Sequence, residues 1–249
     1  MAHVARLRVY PVKALDGEDR EAVTVTPGGT LSGDRAYALY AGGEPVNGRR
    51  TDRVHDLDTK FDGGVLTVRG DGDRRRFDLD AERDAAAAWF SSFFGADVTV
   101  RHDPETGFVD RRSAGPSVVA TATLEAVAGW YDGLTAADVR RRLRANVEIG
   151  GAPAFWTDRF ADGGGFRAGG VRFEGVEPCY RCVVPTRDPD TGEPTPGFRE
   201  RFVERRPTPA WADDGSPYAV TLIARVPEAD RGERLAVGDT VETAPPADG

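Results

Sequence analysis

The first 70 residues alternate apolar and polar positions in four short runs, and glycine, proline or aspartate residues separate the runs. Alternation with a period of two is typical of strands that bury one face. We therefore predict strands at residues 4–10, 22–26, 35–40 and 64–69. The turn residues between them favour an architecture of short, closely connected strands.

Helical spacing is confined to a few segments, and short strands fill the rest of the pattern. The predicted helices cover residues 81–94 (capped by Asp80 and ended by Gly95), a segment starting near Thr123, and residues 136–143 (capped by Thr135). Further strands are predicted at residues 98–101, 117–120, 146–149, 171–174, 218–226 and 235–241, with a turn-rich segment at residues 185–214. Many short strands and few helices predict an α+β, β-rich fold. We expect a barrel-like N-terminal domain (1–112) packed on a second barrel-like domain (113–249).

Composition excludes several classes of protein. The chain carries 33 basic and 41 acidic side chains and a net charge of −8, which disfavours general nucleic-acid binding. No run approaches the roughly 18 apolar residues of a membrane-spanning helix, and the N-terminus lacks a secretory apolar region. We predict a cytoplasmic protein without nucleic-acid or membrane partners. The excess of acidic residues and of arginine fits either a salt-adapted surface or a GC-rich genome.

Lysine is scarce, since Lys13 and Lys60 are the two lysines of the chain. A pyridoxal-phosphate enzyme needs a lysine for its Schiff base, so that class is disfavoured.

Cys179 and Cys182 form a Cys-x-x-Cys pair. Two cysteines are too few for a disulfide framework, and a structural zinc site would need further ligands that the scattered histidines do not supply. Residues 183–186 predict strand and loop rather than the helix of a thioredoxin motif. Arg181, next to Cys182, would stabilise a thiolate, and residues 188–192 predict a turn capped by aspartate. The residues leave two interpretations open: a reactive or metal-binding thiol, or an inert pair beside a surface turn.

Motifs along most of the chain resemble those of the MOSC family. Residues 179–192 are similar to the family's Cys-x-Arg-Cys element followed by Asp-Pro-x-Thr-Gly. The other matching motifs, in chain order, are Tyr10-Pro11-Val12-Lys13, Gly33-Asp34-Arg35, Leu143-Arg144-Ala145-Asn146-Val147 and Val237-Gly238-Asp239. The pattern resembles members with an N-terminal β-barrel domain fused to the MOSC domain, such as the mitochondrial amidoxime reducing component and its bacterial counterparts.

The resemblance implies a molybdenum cofactor (molybdopterin) bound between the two domains. Cys182 matches the cysteine that ligates molybdenum and is the expected catalytic residue, whereas Cys179 matches a cysteine that is not a ligand. The implied cofactor-binding residues are Lys13, Ala14, Arg35, Thr121, Thr123, Arg144, Asn146, Tyr180, Arg181 and Tyr218. Three positions depart from the family pattern: Ala14 replaces serine, Ala145 replaces proline, and Tyr180 stands where relatives often have serine.

The function implied by the resemblance is a molybdenum-dependent reductase of N-hydroxylated or N-oxygenated small molecules. Its electrons would come from a separate ferredoxin-type or cytochrome-type protein, because two cysteines cannot hold a four-cysteine iron–sulfur cluster. A carrier of cofactor or sulfur that uses Cys182 is the alternative. Some family members also carry a pyridoxal-phosphate domain, and the scarcity of lysine argues against such a domain in this sequence. A third interpretation is a folded protein with a vestigial pocket. The departures from the family pattern at Tyr180 and Ala14 are its best support.

Overall fold

The computed structural model describes residues 1–111, 114–212 and 217–244, and strands dominate it. Within these residues the strands are β1 His3–Val9, β2 Glu18–Arg20, β3 Ala22–Thr24, β4 Tyr37–Ala41, β5 Glu44–Pro45, β6 Asp58–Asp62, β7 Val65–Gly70, β8 Asp73–Asp78, β9 Val98–His102, β10 Ser117–Ala120, β11 Val147–Gly150, β12 Gly165–Ala168, β13 Val171–Pro178, β14 Leu222–Arg225, β15 Arg234–Ala236 and β16 Val241–Ala244. The helices are α1 Arg83–Phe94, α2 Thr121–Ala128, α3 Ala136–Leu143 and α4 Phe198–Arg205. The predicted β-rich α+β class is confirmed.

One large sheet joins the two ends of the chain. Its eight strands follow the order β16-β12-β13-β14-β10-β11-β1-β2, and β10 and β11 form its parallel pair. Strand β1 lies antiparallel to β11, with Leu7 opposite Val147. Strand β3 likewise pairs with β15 in a small separate sheet. N-terminal strands are therefore integral to sheets built mainly from the C-terminal half.

Two further sheets belong to the N-terminal half alone. Strands β5, β4 and β9 form one, and β6, β7 and β8 form the other. Helix α1 packs against both sheets, on β9 and on β8. The division into residues 1–112 and 113–249 stays a prediction, and Arg112 and Ser113 at that boundary lie outside the described residues.

Several predicted element ends are confirmed because their signals are local. Helix α3 covers the predicted residues, with Thr135 and Asp138 forming a reciprocal capping box. Helix α1 ends as predicted at Gly95, whose φ of 65° is the left-handed conformation that glycine adopts without steric cost. The predicted Asp80 cap is wrong: α1 begins at Arg83, and the Asp80 carboxylate instead accepts a hydrogen bond of 2.6 Å from the Tyr37 hydroxyl.

Other predicted bounds are corrected by the tertiary structure. Helix α2 begins at Thr121 rather than near Thr123, and residues 184–186 form a 3-10 turn rather than a strand. The turn-rich segment contains α4, which buries Phe198 and Phe202 one turn apart. The predicted strand at 235–241 is divided by Gly238, whose φ is 92°. The predicted strand at 218–226 is confirmed for Leu222–Arg225.

The core divides into three clusters of buried side chains. The first lies along the large sheet and includes Leu7, Val147 and Phe173, so it draws on both halves of the chain. The second packs α1 against the N-terminal sheets, and the third packs α2, α3 and α4 together. Burying each such side chain contributes about 1.5–3 kcal/mol, so the first cluster holds the N-terminal strand firmly in the large sheet.

Candidate functional site

A cavity of about 290 Å³ lies where segments from both halves of the chain meet. The turn after β1, residues 47–59 and residues 109–111 line it from the N-terminal half. The end of α3, residues 144–146 and the cysteine segment line it from the C-terminal half. The interlocked sheets therefore bring distant sequence motifs to one concave site, the usual location of a ligand site.

The cavity is strongly cationic although the chain as a whole is acidic. Ten lysine and arginine side chains line it against two aspartates, Asp16 and Asp110. Asp16 is already engaged, because its carboxylate accepts hydrogen bonds from Thr59. The ten cationic residues are Arg8, Lys13, Arg35, Arg49, Arg111, Arg141, Arg142, Arg144, Arg181 and Arg187. Such a concentration of positive charge in a cleft favours an anionic ligand.

Three cavity residues hold a backbone conformation that is rare outside glycine. The φ angles of Ala14, Arg35 and Arg144 are 73°, 53° and 53°. The left-handed region costs a non-glycine residue about 1–2 kcal/mol, so the surrounding structure must fix these turns. Arg144 ends α3 in this way, and its guanidinium donates to the Leu15 carbonyl at 2.6 Å. These turns place the side chains of Arg35 and Arg144 and the backbone of Ala14 at the cavity.

Lys13 is held in place by the N-terminal half. Its ammonium group donates to the Phe108 carbonyl at 2.7 Å and to the Asp110 carboxylate. Burial acts to raise the pKa of Asp110, but the hydrogen bond and charge of Lys13 outweigh it and keep that pKa below its usual value. Next to it, the Ala14 N–H donates to no acceptor within the described part of the chain. At the position where the family pattern has a serine, this chain therefore lacks the hydroxyl but keeps a backbone N–H that can donate to a ligand.

Both cysteines are free, half-buried thiols that line the cavity. The Arg181 guanidinium contacts the Cys179 sulfur at 3.0 Å. That Arg181 also stabilises a Cys182 thiolate stays a prediction. The backbone N–H of Arg181 donates to the Tyr218 carbonyl at 2.9 Å.

The acidic turn after the cysteines is fixed by α3. As predicted, the Asp188 carboxylate accepts from the N–H groups of Asp190 and Thr191, at 2.9 and 3.0 Å. Arg141 forms a two-bond ion pair with Asp190, at 2.8 and 2.6 Å. The buried Arg142 donates to the carbonyls of Pro185 and Arg187 and to the Thr195 hydroxyl. Helix α3 thus determines the position of the cavity wall that follows Cys182.

The structure brings seven of the predicted site residues to the cavity. Cys182, Lys13, Ala14, Arg35, Arg144, Asn146 and Arg181 all line it. The Asn146 side chain accepts from the N–H and the hydroxyl of Ser117 and donates one hydrogen bond to the Arg8 carbonyl at 3.1 Å. It therefore joins β10 to β1, and its place at the cavity is that of a structural support.

Four predicted residues are not brought to the cavity lining. Thr123 is fully buried and its hydroxyl accepts from the Phe155 N–H at 2.7 Å, which gives it a packing role. Thr121 begins α2 with a buried hydroxyl that has no partner among the described residues. Tyr180 is 55% exposed, with its ring edge against Trp211. Tyr218 is buried, and this burial raises its pKa to about 12. The charge of Arg181 opposes the shift, and the charge of Cys182 adds to it.

Sequence reasoning missed His55, which lies on the 3-10 turn Asp52–Asp56 and lines the cavity. Its Nε2 is buried without a partner among the described residues, and Gly192 and Gly48 leave room for the ring. Burial and then the charge of Arg187 lower the pKa of His55. A lone histidine far from the cysteines in sequence gives no local signal. Tyr10 and Arg8, which also line the cavity, were likewise not predicted as site residues.

The described residues contain no group of three or more His, Cys, Asp or Glu side chains that could hold a metal ion on their own. Among the described residues, no helix is long and apolar enough to cross a membrane.

The fold and the cavity define a β-rich protein of two interlocked parts with a cationic, cysteine-lined site between them. The model of the MOSC N-terminal beta barrel domain matches residues 1–81, and that of the MOSC domain matches residues 94–242. The chain belongs to the MOSC family. It is similar to the mitochondrial amidoxime reducing component 2 of Bos taurus, with 26% identity over 230 residues that cover 76% of this chain and 67% of the relative.

Proposed function

We propose that the cavity binds a molybdenum cofactor and that the Cys182 thiolate is the protein ligand of the metal. The observation that carries this proposal is the combination of a free thiol and a strongly cationic lining in one cavity of an acidic chain. Membership of the MOSC family, a molybdenum-cofactor-binding family, supports it. Soft thiolate donors suit a metal that changes oxidation state, and cationic donors suit a phosphate.

The polar groups of the cavity fit such a ligand. The Tyr10 hydroxyl, the His55 Nε2 and the Nε atoms of Arg181 and Arg187 are buried without hydrogen-bond partners among the described residues. Buried polar atoms are rarely left unpaired, so these groups point to a polar ligand. Lys13, Arg35 and Arg144 would hold its anionic end, together with the free Ala14 N–H.

We propose that the reaction is the reduction of an N-hydroxylated or N-oxygenated small molecule. The name of the bovine relative, an amidoxime reducing component, supports this substrate class. When bound, the cofactor supplies two-electron reduction at the N–O bond. Two electrons and two protons convert N–OH to N–H and water, and the electrons come from a separate ferredoxin-type or cytochrome-type donor. Cys182 and the cationic residues of this chain would bind and orient the cofactor.

Metal and pterin content test the proposal directly. We expect near-stoichiometric molybdenum and pterin in the wild-type protein purified from a molybdenum-replete host. Cys182→Ala should lose the metal, whereas Cys179→Ala, which removes the neighbouring cavity thiol, should keep it. A folded wild-type protein without molybdenum or pterin from a competent host would overturn the proposal, as would equal metal content in both cysteine variants.

A carrier of cofactor or sulfur is the second candidate, and an exposed apolar flank favours it. Val176, Tyr180 and Val183 are 40%, 55% and 49% exposed. In sequence they lie before, between and after the two cysteines. Apolar exposure beside a thiol suits transfer to a docked protein. Turnover separates the candidates: a carrier passes its cofactor to an acceptor apoprotein and reduces no N-hydroxylated substrate, whereas a reductase retains the cofactor and consumes reductant.

A further inference from the structure

One tyrosine ring at the cavity contacts three arginines. Tyr10 is 2% exposed, and the guanidinium carbons of Arg144, Arg35 and Arg8 lie 4.0, 5.1 and 5.9 Å from its ring centroid. All three distances fall within the range of cation–π attraction, which strengthens when the pair is removed from water. All four side chains line the same cavity.

Tyr10 also holds this group through its backbone. Its N–H donates to the Asp34 carboxylate at 2.9 Å, and its carbonyl accepts from the Arg35 N–H at 2.7 Å. The same Asp34 carboxylate is the ion-pair partner of Arg35. Gly17 also confines the ring, because a Cβ there would lie 2.7 Å from two of its atoms. The face of the ring is therefore fixed relative to the guanidinium groups.

The ring matters most for Arg144, because Arg8 and Arg35 also have carboxylate partners. Arg8 pairs with Asp19 at 2.9 Å, and Arg35 pairs with Asp34. Arg144 has no carboxylate partner within the described residues and is held by the Leu15 carbonyl and the Tyr10 ring. Without the ring, mutual repulsion would favour separation of the guanidinium groups.

The Tyr10 hydroxyl is buried and has no hydrogen-bond partner among the described residues. Burial raises the pKa of Tyr10 despite the opposing charges of Arg144, Arg8 and Arg35, so the hydroxyl keeps its proton at neutral pH. A neutral phenol is a hydrogen-bond donor, and the acceptor it lacks would be supplied by a ligand in the cavity.

We propose that Tyr10 is a positioning residue for anion binding: its ring holds Arg8, Arg35 and Arg144 together, and its hydroxyl donates to the bound anion. The proposal rests on the proposed function in that the anion would be the phosphate end of the cofactor. Anion binding itself requires no metal. Preorganised donors bind more tightly because less ordering is needed when the ligand arrives.

Binding of inorganic phosphate to the full chain, produced in a host that does not make the cofactor, tests this role by calorimetry. Tyr10→Leu removes both ring face and hydroxyl, and we expect about tenfold weaker binding. Tyr10→Phe keeps the ring and loses the hydroxyl, and we expect about threefold weaker binding. Tyr40→Leu is the matched control, because Arg101 lies 3.9 Å over the Tyr40 ring outside the cavity lining.

The dependence of phosphate binding on salt separates positioning from loss of charge. All three arginines remain in the Tyr10 variants, so the slope of log Kd against log salt should equal that of the wild type while the affinity falls. Partial rescue by Tyr10→Phe relative to Tyr10→Leu supports the role of the ring. The proposal is overturned if Tyr10→Phe and Tyr10→Leu both bind within twofold of the wild type, or if Tyr40→Leu weakens binding as much as Tyr10→Leu.

Tyr10→Phe keeps the proposal testable if Tyr10→Leu fails to fold, since it preserves the packing of the ring. In that case unchanged phosphate affinity of Tyr10→Phe overturns the role of the hydroxyl and with it the proposal. A wild-type chain that binds phosphate through Tyr10 but acquires no molybdenum would contradict the proposed function and leave this inference intact.

Discussion

At the scale of single residues, the site combines two costly features. Some buried polar atoms have no hydrogen-bond partner among the described residues, and some non-glycine residues have left-handed backbone. Ala14, Arg35 and Arg144 have positive φ angles, and Tyr10 and His55 carry buried polar atoms that have no partner in the described part of the chain. Strain and unpaired polar groups both lower stability, so their concentration around one cavity indicates a site arranged for a ligand.

His55 should make stability depend on pH. Burial and the charge of Arg187 lower its pKa from 6.5, so the unfolded chain binds this proton more readily than the folded one. The free energy of unfolding should therefore fall as pH drops through 6.5 towards the lower folded pKa. We expect wild-type protein to lose stability relative to His55→Gln between about pH 7.5 and 5.5, measured by urea unfolding.

The comparison has an internal control at higher pH. Between about pH 7.5 and 8.5 the imidazole is neutral in both states, so the difference between wild type and His55→Gln should stay constant. An unchanged difference across the acidic interval would contradict the assignment of an unpartnered, desolvated imidazole.

At the scale of elements, α3 determines the position of the loop that follows the cysteines. Arg142 is buried and donates to two carbonyls and one hydroxyl of that loop. Arg142→Ala should lower the free energy of unfolding by about 2–4 kcal/mol, because buried acceptors lose their donors. Arg141→Ala, whose partner Asp190 is exposed, should cost less than about 1 kcal/mol. Urea unfolding of both variants measures the two values, and equal losses would contradict this role of Arg142.

The same elements show what local sequence signals can predict. The capping box of Thr135 and the left-handed Gly95 lie within one turn of the helices they delimit, so these ends were predictable. Helix α4 was not, because arginine and glutamate fill most positions around its two buried phenylalanines. Motif resemblance located Lys13 and Arg35 at the site. Neither motif nor spacing could show that Arg181 faces Cys179, since the direction of a side chain depends on the fold.

At the scale of the whole molecule, the pairing of β1 with β11 joins sequence segments about 140 residues apart, a contact that no local pattern indicates. Val4, Leu7 and Val9 are fully buried in the core of the large sheet, and β3 pairs with β15 near the end of the chain. The cavity depends on this interlocking, because its two walls come from opposite halves.

Interlocking predicts that the two halves fold together. A fragment of residues 113–249 would lack β1, which leaves one edge of β11 unpaired and exposes the apolar surface that Leu7 and its neighbours cover. We expect neither this fragment nor residues 1–112 to show cooperative unfolding by circular dichroism, and the intact chain to unfold in one transition. Co-expression should restore a folded complex, because strand pairing supplies the missing edge. A fragment of residues 113–249 that unfolds cooperatively alone would show that β1 is dispensable, and the cavity would then be an interface between two independent domains.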